Sequence, residues 1–237
     1  MLRPRRPPLP AGYAVAEVAG ARIRYRAHGP DDAGPTLVIA TDPPVVLEQY
    51  DALVGALGRA RRVVIFELPG FGFSTAPSGF DFAPASVQAL IAAFVARVAA
   101  PGAILIFPCA AAYAALAVAH AWPELVAGLV LPQAPAWDDA LAWKARRDPR
   151  GVIGRPVVGQ LAMRALRRRR AAAWFDLVAG DRGRAAALAG MTDRAFAQGA
   201  GFALATVYQR FLVAEAGPPP RVLRLRSDAA RRELRSG

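Results

Sequence analysis

Apolar runs typical of buried strands alternate with helical spacings between residues 36 and 131. Residues 36–40 form a continuous apolar run of the kind that a parallel sheet buries. Residues 47–57 follow with apolar side chains at helical spacing. The alternation continues through the segments 62–66, 85–98, 103–107, 110–121 and 126–131. It predicts an α/β fold with a mostly parallel, doubly wound sheet and helices on both of its faces.

The segments on either side of this alternation have a different pattern. Residues 15–18 and 21–28 read as an antiparallel edge pair of strands. Residues 137–216 contain helix-like segments only, including 157–170, 171–179, 184–191 and 194–214. After the break at Gly217 to Pro220, residues 221–226 return to strand alternation. We therefore expect a flexible arm at 1–14, a core at 15–136, a helical insertion at 137–216, and a core strand with a basic tail at 217–237.

The composition and charge of the chain exclude several classes of protein. The chain has 237 residues, of which 54% are hydrophobic and 20% charged, which suits one globular domain and excludes a disordered chain. Its net charge of +12 comes almost entirely from scattered arginines, without zinc-finger spacing or an RNA-recognition motif, so we expect no specific nucleic-acid partner. The single cysteine, Cys109, excludes an internal disulfide framework and a cysteine-rich metal site. We expect no cofactor and no metal.

Residues 98–123 contain no Asp, Glu, Lys or Arg and are long enough to cross a bilayer. Pro101, Gly102 and Pro108 interrupt them, however, and a β-like part precedes an alanine-rich helical part. The segment is therefore predicted to be a buried strand turning into a buried helix, with no membrane span. No apolar signal segment follows the basic leader, so we expect a cytoplasmic protein.

One loop carries a specific resemblance. Glu67-Leu68-Pro69-Gly70-Phe71-Gly72-Phe73-Ser74 follows a predicted strand and resembles the Asp-x-x-Gly-x-Gly-x-Ser loop of the α/β-hydrolase family. Residues 37–44 are similar to the family's Leu-Leu-His-Gly-x-Pro segment, and residues 122–126 to its His-Pro-Glu-x-Val link. The resemblance implies an α/β-hydrolase sheet, with the helical insertion as the cap over the active site.

The family's nucleophile stands on a strand-to-helix turn of the pattern Gly-x-Ser-x-Gly. The aligned residues here are Phe107-Pro108-Cys109-Ala110-Ala111, which put Cys109 at the nucleophile position and a large side chain, Phe107, where a small one is expected. Cysteine is an admissible nucleophile. The alternative is that Cys109 is a buried, small apolar residue in a retained turn.

An oxyanion hole needs backbone N–H donors and no competing negative charge. Thr41-Asp42 replaces His-Gly in the loop that supplies one donor in the family, and the N–H of Ala110 is the candidate for the other. If Asp42 faces the site, its carboxylate repels a developing oxyanion. If it turns outward, the backbone donor survives.

A catalytic triad also needs an acid and a general base. Asp228 is the candidate acid, one residue off the usual spacing, with Asp138 or Asp139 as substitutes. The chain holds only two histidines, His28 and His120, and neither occupies the place of the family's general base. We therefore expect an incomplete triad and a sheet whose last strand and helix are missing.

These features leave two functions open. One is a hydrolase of small esters or other acyl or carbon-bond substrates, with Cys109 as nucleophile. The other is a non-catalytic relative that binds a small apolar molecule or a protein partner. The absent histidine, Phe107 and Asp42 favour the second.

Overall fold

The computed structural model describes residues 9, 11–31, 34–178, 181–214 and 217–218. Its sheet has six strands in the order β1-β2-β4-β3-β5-β6. The pairs β1–β2 and β2–β4 are antiparallel, whereas β4–β3, β3–β5 and β5–β6 are parallel. The mostly parallel sheet with an antiparallel edge pair is thus confirmed. The strands are β1 (Tyr13–Val18), β2 (Ala21–His28), β3 (Leu37–Ala40), β4 (Val63–Phe66), β5 (Ala103–Ile106) and β6 (Val126–Val130).

Seven α-helices accompany the sheet. They are α1 (Asp51–Leu57), α2 (Pro84–Val98), α3 (Ala111–Ala121), α4 (Trp137–Arg147), α5 (Val158–Val178), α6 (Arg182–Ala195) and α7 (Gly201–Arg210). The helices predicted separately at 157–170 and 171–179 form the single helix α5, because no helix-breaking residue separates them. The helix predicted at 194–214 is interrupted by a π turn at Phe196–Ala200, where Gly199 has a φ of 129° that an α-helix does not accommodate.

Successive side chains of β3 point to opposite faces of the sheet, as the period of two requires. Val38 and Ala40 pack in one core cluster with Phe94 of α2, Ala115 of α3 and Leu105 of the neighbouring strand β5. Ile39 packs in a second cluster with Val54 of α1. Helices therefore cover both faces, and the active edge of such a sheet is the one at which the parallel strands end.

The apolar stretch at 98–123 contains the end of α2, then β5, then α3. It is a strand turning into a helix, as its interrupted pattern predicts. Within the described ranges, no helix is both long enough and apolar enough to span a membrane.

Helices α4–α7, here called the helical segment, contact the loops that follow β3 and β4. Ala203 of α7 is buried in the same cluster as Leu68 and Phe71 of the loop after β4. The hydroxyl of Thr192 in α6 donates to the carbonyl of Pro44 in the loop after β3, at 3.4 Å. The helical segment therefore lies over the carboxyl edge of the sheet.

Candidate functional site

Cys109 lies between the end of β5 and the start of α3, at the carboxyl edge of the sheet. Its φ is 51°, in the left-handed region that residues other than glycine adopt only when surrounding contacts hold them there. One such contact is its own N–H, which donates to the carbonyl of Pro132 just after β6, at 3.0 Å. The thiol is half-buried. Cys109 therefore stands at the tip of a fixed strand-to-helix turn.

The large side chain beside this turn points into the core. Phe107 is fully buried, and its ring centroid lies 5.7 Å from that of Phe66 in β4. Its N–H still donates to Val130 of β6, at 3.1 Å. Phe107 is accommodated beneath the sheet, so it does not distort the turn that carries Cys109.

Residues 41–45, which begin the loop after β3, present no free backbone donor. The Thr41 N–H donates to the carbonyl of Phe66 at 3.0 Å, and the Asp42 N–H donates to the hydroxyl of Tyr50 at 3.1 Å. Pro43 and Pro44 have no N–H. The next N–H, that of Val45, donates back to the carbonyl of Asp42 at 2.9 Å. The donor that the sequence left open at Asp42 is thus already engaged.

The Asp42 carboxylate is largely buried, and no donor or cation of the described residues lies on it. Burial alone raises the pKa of Asp42 to about 7. The negative charge of Asp42 also acts on Cys109 and Tyr50. This carboxylate therefore faces the turn that carries Cys109.

The thiol of Cys109 is disfavoured as a thiolate. Burial raises its pKa, and the charge of Asp42 raises it further. A backbone hydrogen bond from Ala110 lowers the pKa, but not enough to reverse the shift. Cys109 is therefore a protonated thiol at neutral pH.

Two further hydroxyl groups border the same place. Tyr50 follows the loop after β3, and burial raises the pKa of Tyr50 to about 12. Tyr208 of α7 is also buried, and burial raises its pKa to about 12 against the opposing charges of Arg170 and Arg147; Asp148 and, most weakly, Cys109 add to the rise. Tyr208 packs with Val46 and lies near the ring of Trp143 in α4, at 6.2 Å. The helical segment thus contributes an aromatic wall near Cys109.

Comparison with known proteins gives a result for structures only. No protein-family model matches the sequence, and no curated protein matches it. A variant of a proposed epoxide hydrolase from Pseudomonas aeruginosa superposes with a TM-score of 0.74 at 19% identity, over 98% of this chain and 77% of that one. A proposed lipase from Acinetobacter baumannii gives 0.63 at 14% identity, over 87% and 67%. The haloalkane dehalogenase DbeA from Bradyrhizobium elkani gives 0.58 at 18%, over 83% and 73%.

This chain has the α/β-hydrolase fold. The resemblance found in the sequence is thereby confirmed. These identities are below 20%, so the superpositions establish the architecture only. The chemistry must be argued from the site itself.

Neither histidine of this α/β-hydrolase-fold chain reaches Cys109. His28 pairs with Val63, the first residue of β4, so it lies at the opposite edge of the sheet. His120 lies in the last turn of α3, about 14 Å along the helix from its first residue, Ala111. The fold therefore brings no imidazole to the thiol.

The candidate acids stand apart from Cys109 or outside the described residues. Asp138 and Asp139 occupy the first turn of α4 and are exposed. Asp228 lies outside the part of the chain that the structure describes. Within that part, no group of three or more His, Cys, Asp or Glu side chains could hold a metal ion.

The loop after β4 is held together by Glu67, which is fully buried. Its carboxylate pairs with Arg24 at 3.0 Å and accepts the N–H groups of Phe73 at 2.7 Å and Leu47 at 3.3 Å. Gly72 has a φ of 55°, and a Cβ there would lie 2.1 Å from the Glu67 carboxyl carbon. The glycine pattern thus serves the close approach of the backbone to Glu67.

Sequence reasoning named Cys109, Ala110, Thr41 and Asp42, and these residues do meet at the carboxyl edge of the sheet. It missed Tyr50 and Tyr208. Tyr50 was an apolar position of a predicted helix, and its spacing gave no sign of the hydrogen bond with Asp42. Tyr208 is far from the loop in sequence, so only the packing of α7 could reveal it.

Proposed function

We propose that this chain binds a small apolar molecule between the Cys109 turn and the helical segment, and does not catalyse acyl transfer. The observation that carries the proposal is the loop after β3, in which every N–H of residues 41–45 is engaged or absent and the Asp42 carboxylate faces the turn. A tetrahedral intermediate needs preorganised donors where its oxyanion develops. This loop offers a negative charge instead.

The state of the thiol supports the same proposal. A cysteine nucleophile acts as a thiolate, which an adjacent base or a depressed pKa provides. Here burial and Asp42 raise the pKa of Cys109, and both histidines lie elsewhere. The hydrolase structures that share this fold point to a hydrolase ancestry, whose turn is retained without its reactive state.

The surroundings of Cys109 suit an apolar ligand. The helical segment and the neighbouring loops contribute aromatic and aliphatic side chains from one packed cluster: Val46, Phe73, Trp143, Met191, Leu204 and Tyr208. Asp42, Cys109 and Ala110 each keep part of their surface open, so the site communicates with solvent. Apolar walls with a few convergent polar groups are typical of small-molecule sites. In this proposal the helical segment acts as the cap.

A Cys109-dependent hydrolase of small esters is the second candidate. The φ of 51° at Cys109, on a turn between a strand and a helix, is the geometry of a nucleophile elbow. In that mechanism Asp42 is the nearby group with a pKa suited to a general base, at about 7.

Ester hydrolysis separates the two candidates. We expect the wild-type chain, Cys109→Ser and Cys109→Ala to hydrolyse a p-nitrophenyl ester at the same rate as buffer. An enzymatic rate in the wild type that Cys109→Ala abolishes would refute the proposal and establish the second candidate.

Binding is measured separately, with 2-phenylethanol as a neutral apolar probe. We expect it to raise the melting temperature, because it binds the folded state only. Ala110→Leu fills the space beside the half-buried Ala110 and should abolish the shift, whereas Ala127→Leu, at an exposed position of β6, should not. An unchanged shift in Ala110→Leu would place the ligand elsewhere.

A further inference from the structure

Two side chains at the start of the loop after β3 have polar atoms without a partner among the described residues. The Asp42 carboxylate has no donor or cation among the described residues. The Thr41 hydroxyl beside it in sequence is fully buried and has no hydrogen-bond partner in the described part of the chain. The N–H groups of residues 41–45 in the same loop are engaged or absent. A ligand that pairs with the Asp42 carboxylate must therefore bring a donor.

The Asp42 carboxylate also gives the site a negative charge that no described cation offsets. The chain carries 30 Lys and Arg residues, yet none of those that the structure describes reaches the Asp42 carboxylate. By contrast, the buried Glu67 is paired with Arg24 at 3.0 Å. A buried carboxylate without a partner is costly, and a cation from outside the chain removes that cost.

We propose that the ligand is a small amine with an apolar body, whose ammonium group is bound by the carboxylate of Asp42. This inference rests on the proposed function and names the ligand class of the same site. An ammonium group donates charge-assisted hydrogen bonds to a carboxylate and has a further donor for a hydroxyl such as that of Thr41. The aromatic rings of Tyr50 and Tyr208 suit a cation as well.

An anionic ligand is excluded by the same geometry. A carboxylate or an oxyanion at this place meets the charge of Asp42 and finds only the Ala110 N–H, which already bonds to Cys109. A neutral alcohol fills the apolar space but leaves the charge of Asp42 uncompensated. The order of affinity is therefore amine, then alcohol, then carboxylate.

The affinity for an amine should also depend on pH. The titratable groups close to Asp42 are Tyr50 and Cys109, with Tyr208 of α7 behind Cys109. Arg170, Arg147 and Asp148 in turn act on Tyr208. The two tyrosines and the thiol do not ionise at neutral pH, but Glu67 in the neighbouring loop, whose pKa burial also raises to about 7, titrates in the same range, so Asp42→Asn is needed to assign the pH dependence to Asp42. Amine binding should tighten as pH rises through about 7 and Asp42 becomes an anion.

Calorimetric titration with three probes of one shape tests the inference: 2-phenylethylamine, 2-phenylethanol and phenylacetate. We expect the amine to bind at least about tenfold more tightly than the alcohol at about pH 8, the ratio that one charge-assisted hydrogen bond provides. Asp42→Asn should reduce the affinity for the amine about tenfold and leave that for the alcohol unchanged. Asp176→Asn, which removes an exposed carboxylate, should change neither.

The outcomes are distinguishable from those of the proposed function. Equal affinities for amine and alcohol, or an amine affinity that Asp42→Asn does not alter, would overturn the ligand class while the apolar site stands. Tightest binding of phenylacetate, or no binding of the amine, would overturn it too. Hydrolysis that depends on Cys109 would instead refute the proposed function.

Discussion

Two buried carboxylates in neighbouring loops differ in what surrounds them. Glu67, after β4, is paired with Arg24 and accepts the N–H groups of Leu47 and Phe73. Asp42, after β3, has none of these partners among the described residues. Burial raises the pKa of both to about 7; for Glu67 the charge of Arg24 and the two N–H groups act in the opposite direction without reversing the shift, whereas nothing opposes it for Asp42. Within the described ranges, the fold compensates one carboxylate and leaves the other without a partner.

The two carboxylates therefore differ in what they do for the fold. Glu67 joins three segments, those of Arg24, Leu47 and Phe73, so its charge holds the loops around the site in place. Asp42 holds nothing through its carboxylate, because only its backbone bonds to Tyr50 and Val45. Removing the charge of Glu67 should lower the free energy of unfolding, whereas removing the charge of Asp42 should raise it.

The largest loss of stability that we expect from a substitution is at Glu67. Glu67→Gln leaves Arg24 with Glu48 as its remaining carboxylate partner among the described residues and weakens the bonds from Leu47 and Phe73, so we expect the free energy of unfolding to fall by about 3 kcal/mol. Chemical denaturation at neutral pH measures it. Asp31→Asn is the matched control, since it breaks a pair at 2.9 Å with Arg62 whose carboxylate is 86% exposed, and it should cost less than about 1 kcal/mol. Equal losses in the two variants would show that Glu67 does not organise its loop.

Asp42→Asn should have the opposite sign. The pKa of Asp42 in the folded chain is about 7, above its ordinary value of 3.8, so the folded state holds this proton more tightly than the unfolded state. Wild-type stability should therefore fall as pH rises from about 4 to about 7, by at most about 4 kcal/mol. Asp42→Asn lacks this penalty and should be the more stable chain at about pH 8, with the difference lost near pH 4.

Thermal and chemical denaturation across this pH range measure the effect, with Asp176→Asn as the exposed control. A variant Asp42→Asn that is less stable than the wild type at high pH would show that the carboxylate has a partner. The comparison with Glu67 would then fail.

The smallest expected effect is on the reactivity of Cys109. Its alkylation by iodoacetamide reports one site, because the chain has a single cysteine. The reaction should be slow in the folded wild type and a few times faster in Asp42→Asn, since the removed charge no longer raises the pKa of the thiol. Equal rates in the two chains would mean that Asp42 does not face Cys109.

The sequence predicted the fold well because the fold depends on patterns that are local. The apolar runs of β3, β4 and β5 and the helical spacings between them are readable without knowing their neighbours, and they give the alternation that defines the sheet. The boundary between α6 and α7 was harder, because the apolar spacing of residues 194–214 continues across Gly199, where the φ of 129° interrupts the helix.

The sequence named residues that meet at the carboxyl edge of the sheet, but it did not indicate their hydrogen bonds or their charge, and their role as a site stays a prediction. Cys109 and Asp42 could be named because each stands at a motif position. The engagement of the Asp42 N–H depends on Tyr50, and the lack of a partner for its carboxylate depends on the placement of the basic residues that the structure describes. Contacts of this kind join segments distant in sequence, so a single sequence does not specify them.

Titration of Asp42 itself tests the central claim most directly. Carboxyl ¹³C shifts of aspartate-labelled chain, with the Asp42 signal assigned from Asp42→Asn, give its pKa without reference to stability or activity. The account predicts a midpoint of about 7, displaced downward when 2-phenylethylamine is bound. A midpoint near or below the ordinary aspartate value of about 4 would contradict it, because a donor or cation of the chain would then already cover the carboxylate.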